Sequence, residues 1–135
     1  MIFSADLGPV NHIVIGFSGD TVPESGFEQL RVLDIEDRIK LLDIEFIAKS
    51  ADGEVSWVTA ESVGMEKFVA SANRLIGEGD LAAIGGAMDP GTVAAVVVWE
   101  DLTLRNAVRT WKAGGATVLS RGPVSPDHLA AVDDQ

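Results

Sequence analysis

Thr92–Trp99, TVAAVVVW, is the stretch that decides the fold. Val93–Trp99 is seven apolar residues without a break, rich in valine. That is far short of the ~20 a membrane helix needs, and too unbroken for a surface helix. It reads as a central strand apolar on both faces. Asp89-Pro90-Gly91 before it is a turn, because proline presets one dihedral angle and glycine tolerates another. After it, Asp101 or Thr103 can cap a helix whose buried side would be Leu104, Ala107, Val108 and Trp111. Gly114-Gly115 ends that helix, and Ala116–Arg121 (ATVLSR) supplies a second strand.

The same layout occurs earlier in the chain. Asn11–Phe17 (NHIVIGF) is a strand, and Ser18–Thr21 a turn. Pro23 suits the first helical position, and Glu24 and Glu28 suit the positive end of a helix. Phe27, Leu30 and Ile35, with Val32 or Leu33, make its apolar stripe, and the helix ends near Asp37 or Arg38. In the strand Ile39–Ala48, Leu42, Ile44, Phe46 and Ala48 share one face. Asp43 and Glu45 point the other way, which predicts one covered face and one wetter face.

Two β-α-β units predict an α+β fold with a ferredoxin-like antiparallel sheet. The greasier strand of each unit lies inside, and right-handed crossovers put both main helices on one face. Asp52-Gly53 favours a tight hairpin, so Glu54–Thr59 extends one edge. Residues 60–89 are an inserted helical segment. Met65–Ile76 has a partial apolar stripe, Gly77-Glu78-Gly79 breaks it, and Asp80 caps a short helix over Leu81–Met88. A short C-terminal helix over about residues 126–132 completes a single domain spanning 1–135. One sheet face is then left without helices, and a second copy of the chain is its expected cover, which makes a homodimer the expected assembly.

Composition narrows the function. Hydrophobic residues are 47% of the 135, enough for a packed core. The absence of cysteine excludes disulfides, thiol nucleophiles and thiolate metal sites. Twenty-one acidic side chains against ten scattered basic ones give a charge of −11, which repels a phosphate backbone, so no nucleic acid is expected as partner. Met1–Pro9 has neither a basic start nor an apolar run, and no run is long enough for membrane insertion, so a cytoplasmic location is expected.

Reactive constellations are sparse. Gly77–Ala82 formally fits the dinucleotide pattern G-x-G-x-x-A, with Glu100 near the ribose-binding position, but the segment before it (FVASANRLI) is no buried strand. A glycine hinge is the better reading. His12 and His128 have no ligand spacing around them. The carboxylate pairs are sequence neighbours, as solvated faces and caps would be; Asp43, flanked by apolar residues in a strand, is the exception. No nucleophile elbow, phosphate loop or zinc helix is present. No catalytic, metal or cofactor-binding residue is singled out, and no cofactor is expected. His12 and Asp43 are candidate pocket residues. Trp99 and Trp111 are expected in the core, while Trp57, on the edge hairpin, is a candidate interaction residue.

The pattern Met88-Asp89-Pro90-Gly91-Thr92, VAAVVVWED, a helix and AGGATVLSRG, together with Gly8-Pro9-Val10, HIVIGFSG and IKLLDIEFIAKSADG, resembles a family of small uncharacterised bacterial proteins with two β-α-β halves. The likeness covers about residues 8 to 122. A neighbouring glycine-zipper family inserts a membrane segment in the middle. Here Glu61, Glu66, Lys67, Arg74, Glu78 and Asp80 occupy that region. The resemblance implies the ferredoxin-like fold and a bacterial cytosolic setting, and no activity. The expected function is a non-enzymatic module of self-association or protein interaction. The rival is a small-ligand binder or enzyme with a pocket between the sheet and the middle helices.

Overall fold

The computed structural model describes residues 8–19 and 21–120. In chain order its elements are β1 (Val10–Phe17), α1 (Glu24–Ile35), β2 (Ile39–Lys49), β3 (Val55–Val58), 3-10 turns at Glu61–Val63 and Glu66–Ser71, α2 (Glu78–Ala87), β4 (Thr92–Asp101) and α3 (Arg105–Ala113). A strand with an unbroken apolar run from Val93 to Trp99 must have both faces covered and neighbours on both sides, and β4 has them. The sheet runs β1-β4-β2-β3 with every pair antiparallel, and Val93–Val98 are all buried. The architecture is α+β.

On one face, Val93, Ala95 and Val97 of β4 pack with Ile44 and Phe46 of β2, Phe27 of α1, Val63 and Phe68 of the 3-10 turns, and Met65 between those turns. Phe27 sits at the centre, its ring 6.2 Å from that of Phe17, 5.9 Å from Phe46 and 5.5 Å from Phe68. On the other face, Val96 and Val98 pack with Leu42, Ile47 and Leu81, flanked by Leu75, Ile76 and Ile84. The segment between β3 and β4 therefore serves both faces, and α2 lies on the face expected to have no helix. The packing of α2 is close: a Cβ on Gly85 would collide with the Val55 side chain. Lys49 Nζ donates to the carbonyls of Gly85 (2.9 Å) and Met88 (3.0 Å), a cation at the negative end of that helix.

Several local expectations are corrected. A register shift between Leu41 and Asp43 turns Leu42 to the α2 face, away from Ile44 and Phe46. Asp43 and Glu45 are buried, so β2 has no wet face. Pro23 caps α1 from just outside it. Residues Gly77–Gly79 open α2 instead of breaking a helix, and Asp80 sits in its first turn, accepting the Gly77 N–H at 3.1 Å. Helix α3 has no buried residue, with Leu104 63% and Trp111 58% exposed, so its expected core role fails. Trp99 is half-buried against the Phe27 cluster.

Ala116–Ser120 is irregular and not a strand, so β1 stands at the sheet edge with no strand beyond it among the described residues. The expected helix over 126–132, with His128, lies outside the described residues.

Candidate functional site

Strand β3 pairs only with Phe46–Lys49, which leaves the first half of β2 without a strand on that side. The chain fills the place with an irregular strap, residues 72–76, held by carboxylates in place of a ladder. Asp43 Oδ1 accepts the backbone N–H of Asn73 at 2.7 Å, and Oδ2 that of Leu75 at 3.0 Å. Glu45 Oε2 accepts the N–H of Arg74 at 2.8 Å. The Leu42 carbonyl, displaced at the bulge, accepts Asn73 Nδ2 at 2.6 Å. Three consecutive backbone donors can converge here because Arg74 adopts a left-handed conformation, φ 53°.

Asp43 is fully buried and Glu45 5% exposed. Loss of hydration pushes the Glu45 carboxyl above its usual range, and the charge and hydrogen bond of Asp43 beside it act in the same direction. The Arg74 N–H and its guanidinium, whose Nε lies 3.9 Å from Glu45 Oε2, oppose the rise. The same guanidinium covers the Trp57 ring, 4.6 Å from its centroid. A third buried carboxylate, Glu100, accepts the Gly8 N–H at 2.6 Å and ties the lead-in to the end of β4. A Cβ at Gly8 would press on the Asp101 carbonyl, so glycine is needed there.

Two neighbouring buried carboxyls, one of them pushed toward its protonated form, resemble an acid–base pair. Here both oxygens of Asp43 are engaged by backbone donors. The pair works as a clasp for the strap. His12, the other candidate pocket residue, is exposed on β1, opposite Val98, which is in turn opposite Asp43. The three share one row of the sheet, with His12 two strand spacings, roughly 10 Å, from Asp43. Val98 stands between them, and the structure does not bring the two together. Trp57 is half-buried between the Leu81 cluster and Arg74.

Sequence reasoning missed Glu45, Glu100, Asn73 and Arg74. One signal was available: acidic residues alternating within an otherwise apolar strand need buried partners, and the polar Asn73-Arg74 pair inside the insert supplies them.

Among the described residues, three of the open cavities flank the sheet. One of about 510 Å³ lies beside α1 and is lined by Ile13, Ile15, Phe17, Leu30, Leu33 and Trp99. One of about 670 Å³ runs between α2 and β1, past Val14, Ile84 and Met88. The third, about 630 Å³, follows α3 from Pro9 to Ser120. Among the described residues, no group of three acidic or histidine side chains could hold a metal ion, and no helix is long and apolar enough to cross a membrane.

The model of the DUF6325 family, a family of unknown function, matches residues 6–134, and the chain belongs to that family. No curated protein and no solved structure matches it.

Proposed function

We propose that this member of a family of unknown function is a non-enzymatic self-association module whose assembled form is a homodimer, built on the open edge of β1. One observation carries the reading. Strand β1 is eight residues long, VNHIVIGF, with no charged residue and no proline, and its outer edge pairs with no strand among the described residues. Val10, Ile13 and Val14 are exposed along it. Natural sheets blunt such edges with lysine, proline or a bulge, or they cover them. This edge has none of the first three, so covering is what remains.

The ferredoxin-like reading belongs with this proposal. Strands β1, β4 and β2 neighbour one another as in that fold, and the place of its last strand, beside β1, is the open edge. The cysteine-free, acidic chain suits the reducing cytoplasm.

Sedimentation equilibrium at micromolar concentration tests the reading. A dimer mass is expected for the wild type, and Ile13→Lys, which places a charge on the edge, should raise the dimer Kd by about tenfold or more. A wild type that sediments as a monomer refutes it.

A further inference from the structure

Among the described residues, helix α3 and the apolar groove beside α1 are two surfaces that no other element covers. Leu104, Ala107, Val108 and Trp111 recur at helical spacing, so they form a single apolar stripe. None of them is buried. The groove of about 510 Å³, walled by Ile13, Ile15, Phe17, Leu30, Leu33 and Trp99, lies on the α1 face of the sheet. That is the face on which a right-handed crossover after β4 would lay a helix.

The connection to α3 sends the helix elsewhere. Leu102 is buried and donates its N–H to the Arg38 carbonyl at 3.0 Å. Asp101 Oδ1 accepts both the N–H (2.9 Å) and the hydroxyl (2.7 Å) of Thr103. Arg105 N–H then donates to the Leu102 carbonyl at 3.0 Å. So fixed, α3 leaves along Gly8-Pro9, and its apolar stripe lines the separate open cleft of about 630 Å³.

Charge also differs between the stretch 104–120 and the stretch 8–103. Residues 104–120 carry Arg105, Arg109 and Lys112 and no acidic side chain. Residues 8–103 carry seventeen acidic side chains against six basic ones. The extended part is thus basic and the body strongly acidic, a complementarity that steers one onto the other.

We propose that α3 and the residues following it, through Ser120, form an exchange arm that seats in the α1–β1 groove of a second copy of this chain. The apolar stripe fills the groove, and Ala116–Ser120 comes alongside the open edge of the partner's β1. Each copy gives an arm and receives one, so a two-fold axis closes the assembly and leaves no arm free to propagate a filament. This deepens the self-association reading and rests on it.

The cysteine-free chain makes the test direct, because every thiol is an introduced one. Ile13→Cys places a thiol in the groove and Val108→Cys one on the helix. The two full-length single variants are mixed, incubated to exchange, and mildly oxidised. The expected result is a disulfide-linked heterodimer of I13C with V108C, well in excess of either homodimer. The double variant should likewise give covalent dimers, closed by two bonds. A double variant that links only within single chains overturns the proposal, since the helix then seats in its own groove. A wild type that sediments as a dimer while the mixed variants fail to link also overturns it and leaves the self-association reading standing. A monomeric wild type removes both. Trp111→Glu should weaken the wild-type dimer about tenfold; an unchanged Kd would overturn the arm as its source.

Discussion

The Asn73 backbone N–H donates to Asp43 Oδ1 at 2.7 Å, joining β2 to the strap at residues 72–76 across thirty positions of chain. That bond and its neighbours turn an unpaired stretch of β2 into the anchor of the insert, which leaves the Phe27 cluster near Phe68 and reaches the Leu81 cluster at Leu75. Buried carboxylates, ordinarily a cost to folding, are accepted here because each one satisfies backbone donors that no strand could meet.

Asp43→Ala leaves the N–H groups of Asn73 and Leu75 without acceptors. The expected loss is about 2–3 kcal/mol, since two half-covered backbone donors go unsatisfied. Asp43→Asn keeps one acceptor oxygen and should lose less. Urea denaturation of both variants checks the order. Equal stability of the alanine variant and the wild type would show that the strap is not held by this residue.

Glu45 gives a dependence on pH. Its folded carboxyl is raised from the usual 4.5, by lost hydration first, so the folded state favours the protonated form. Its contribution to stability is therefore fully present below about 4.5 and is lost as pH rises through the folded value. Glu45→Gln mimics the protonated group at every pH and keeps an acceptor for the Arg74 N–H. It should raise the melting temperature by a few degrees at neutral pH, with the advantage shrinking to nothing in acid. Melting curves from pH 4 to 7 decide it; a penalty that is constant with pH would contradict the burial argument.

Gly85 and Gly86 are neighbours on α2 with opposite expectations. Gly85→Ala drives a methyl into Val55 and should destabilise by about 1–3 kcal/mol despite the gain in helix propensity. A Cβ at Gly86 meets nothing within 4 Å, so Gly86→Ala should stabilise by about 0.5–1 kcal/mol. Thermal unfolding of the pair measures both, and equal melting temperatures would mean that α2 does not lie this close to β3.

Trp57→Ala removes the ring beneath Arg74 and part of the Leu81 cluster. A stability loss of about 2 kcal/mol is expected, below that of a fully buried tryptophan because Trp57 is only half-covered. Denaturation and sedimentation run together separate the roles of this residue. Lost dimer with unchanged monomer stability would assign Trp57 to an interface instead.

Much of the fold was legible where a local pattern is sufficient. Continuous valine and alanine from 93 to 98 demanded a central strand, and β4 is one. Asp52-Gly53 demanded a hairpin, and Ser50 and Glu54 close it, with Gly53 at φ 90°. The α1 stripe around Phe27 and Leu30 faces the core as its spacing requires. The bulge at Leu42 was not legible, because a one-residue slip depends on the partner strand and leaves no mark of its own in composition. Asp43 drew notice for its apolar flanks, but its partners lie thirty residues away.

What the sequence alone determined is the set of elements that hydrophobic period, proline, glycine and capping residues specify within a few positions of themselves. Those forces are short-ranged, so β1, α1, β2, β3 and β4 could be read in order. Only the tertiary structure decided which carboxylates are buried, that α2 covers the second face, and that α3 stands off the sheet with its apolar stripe uncovered by any of the described residues. Each of these depends on contacts between residues distant in the chain. Burial is a property of what lies opposite a side chain, and no local pattern records that.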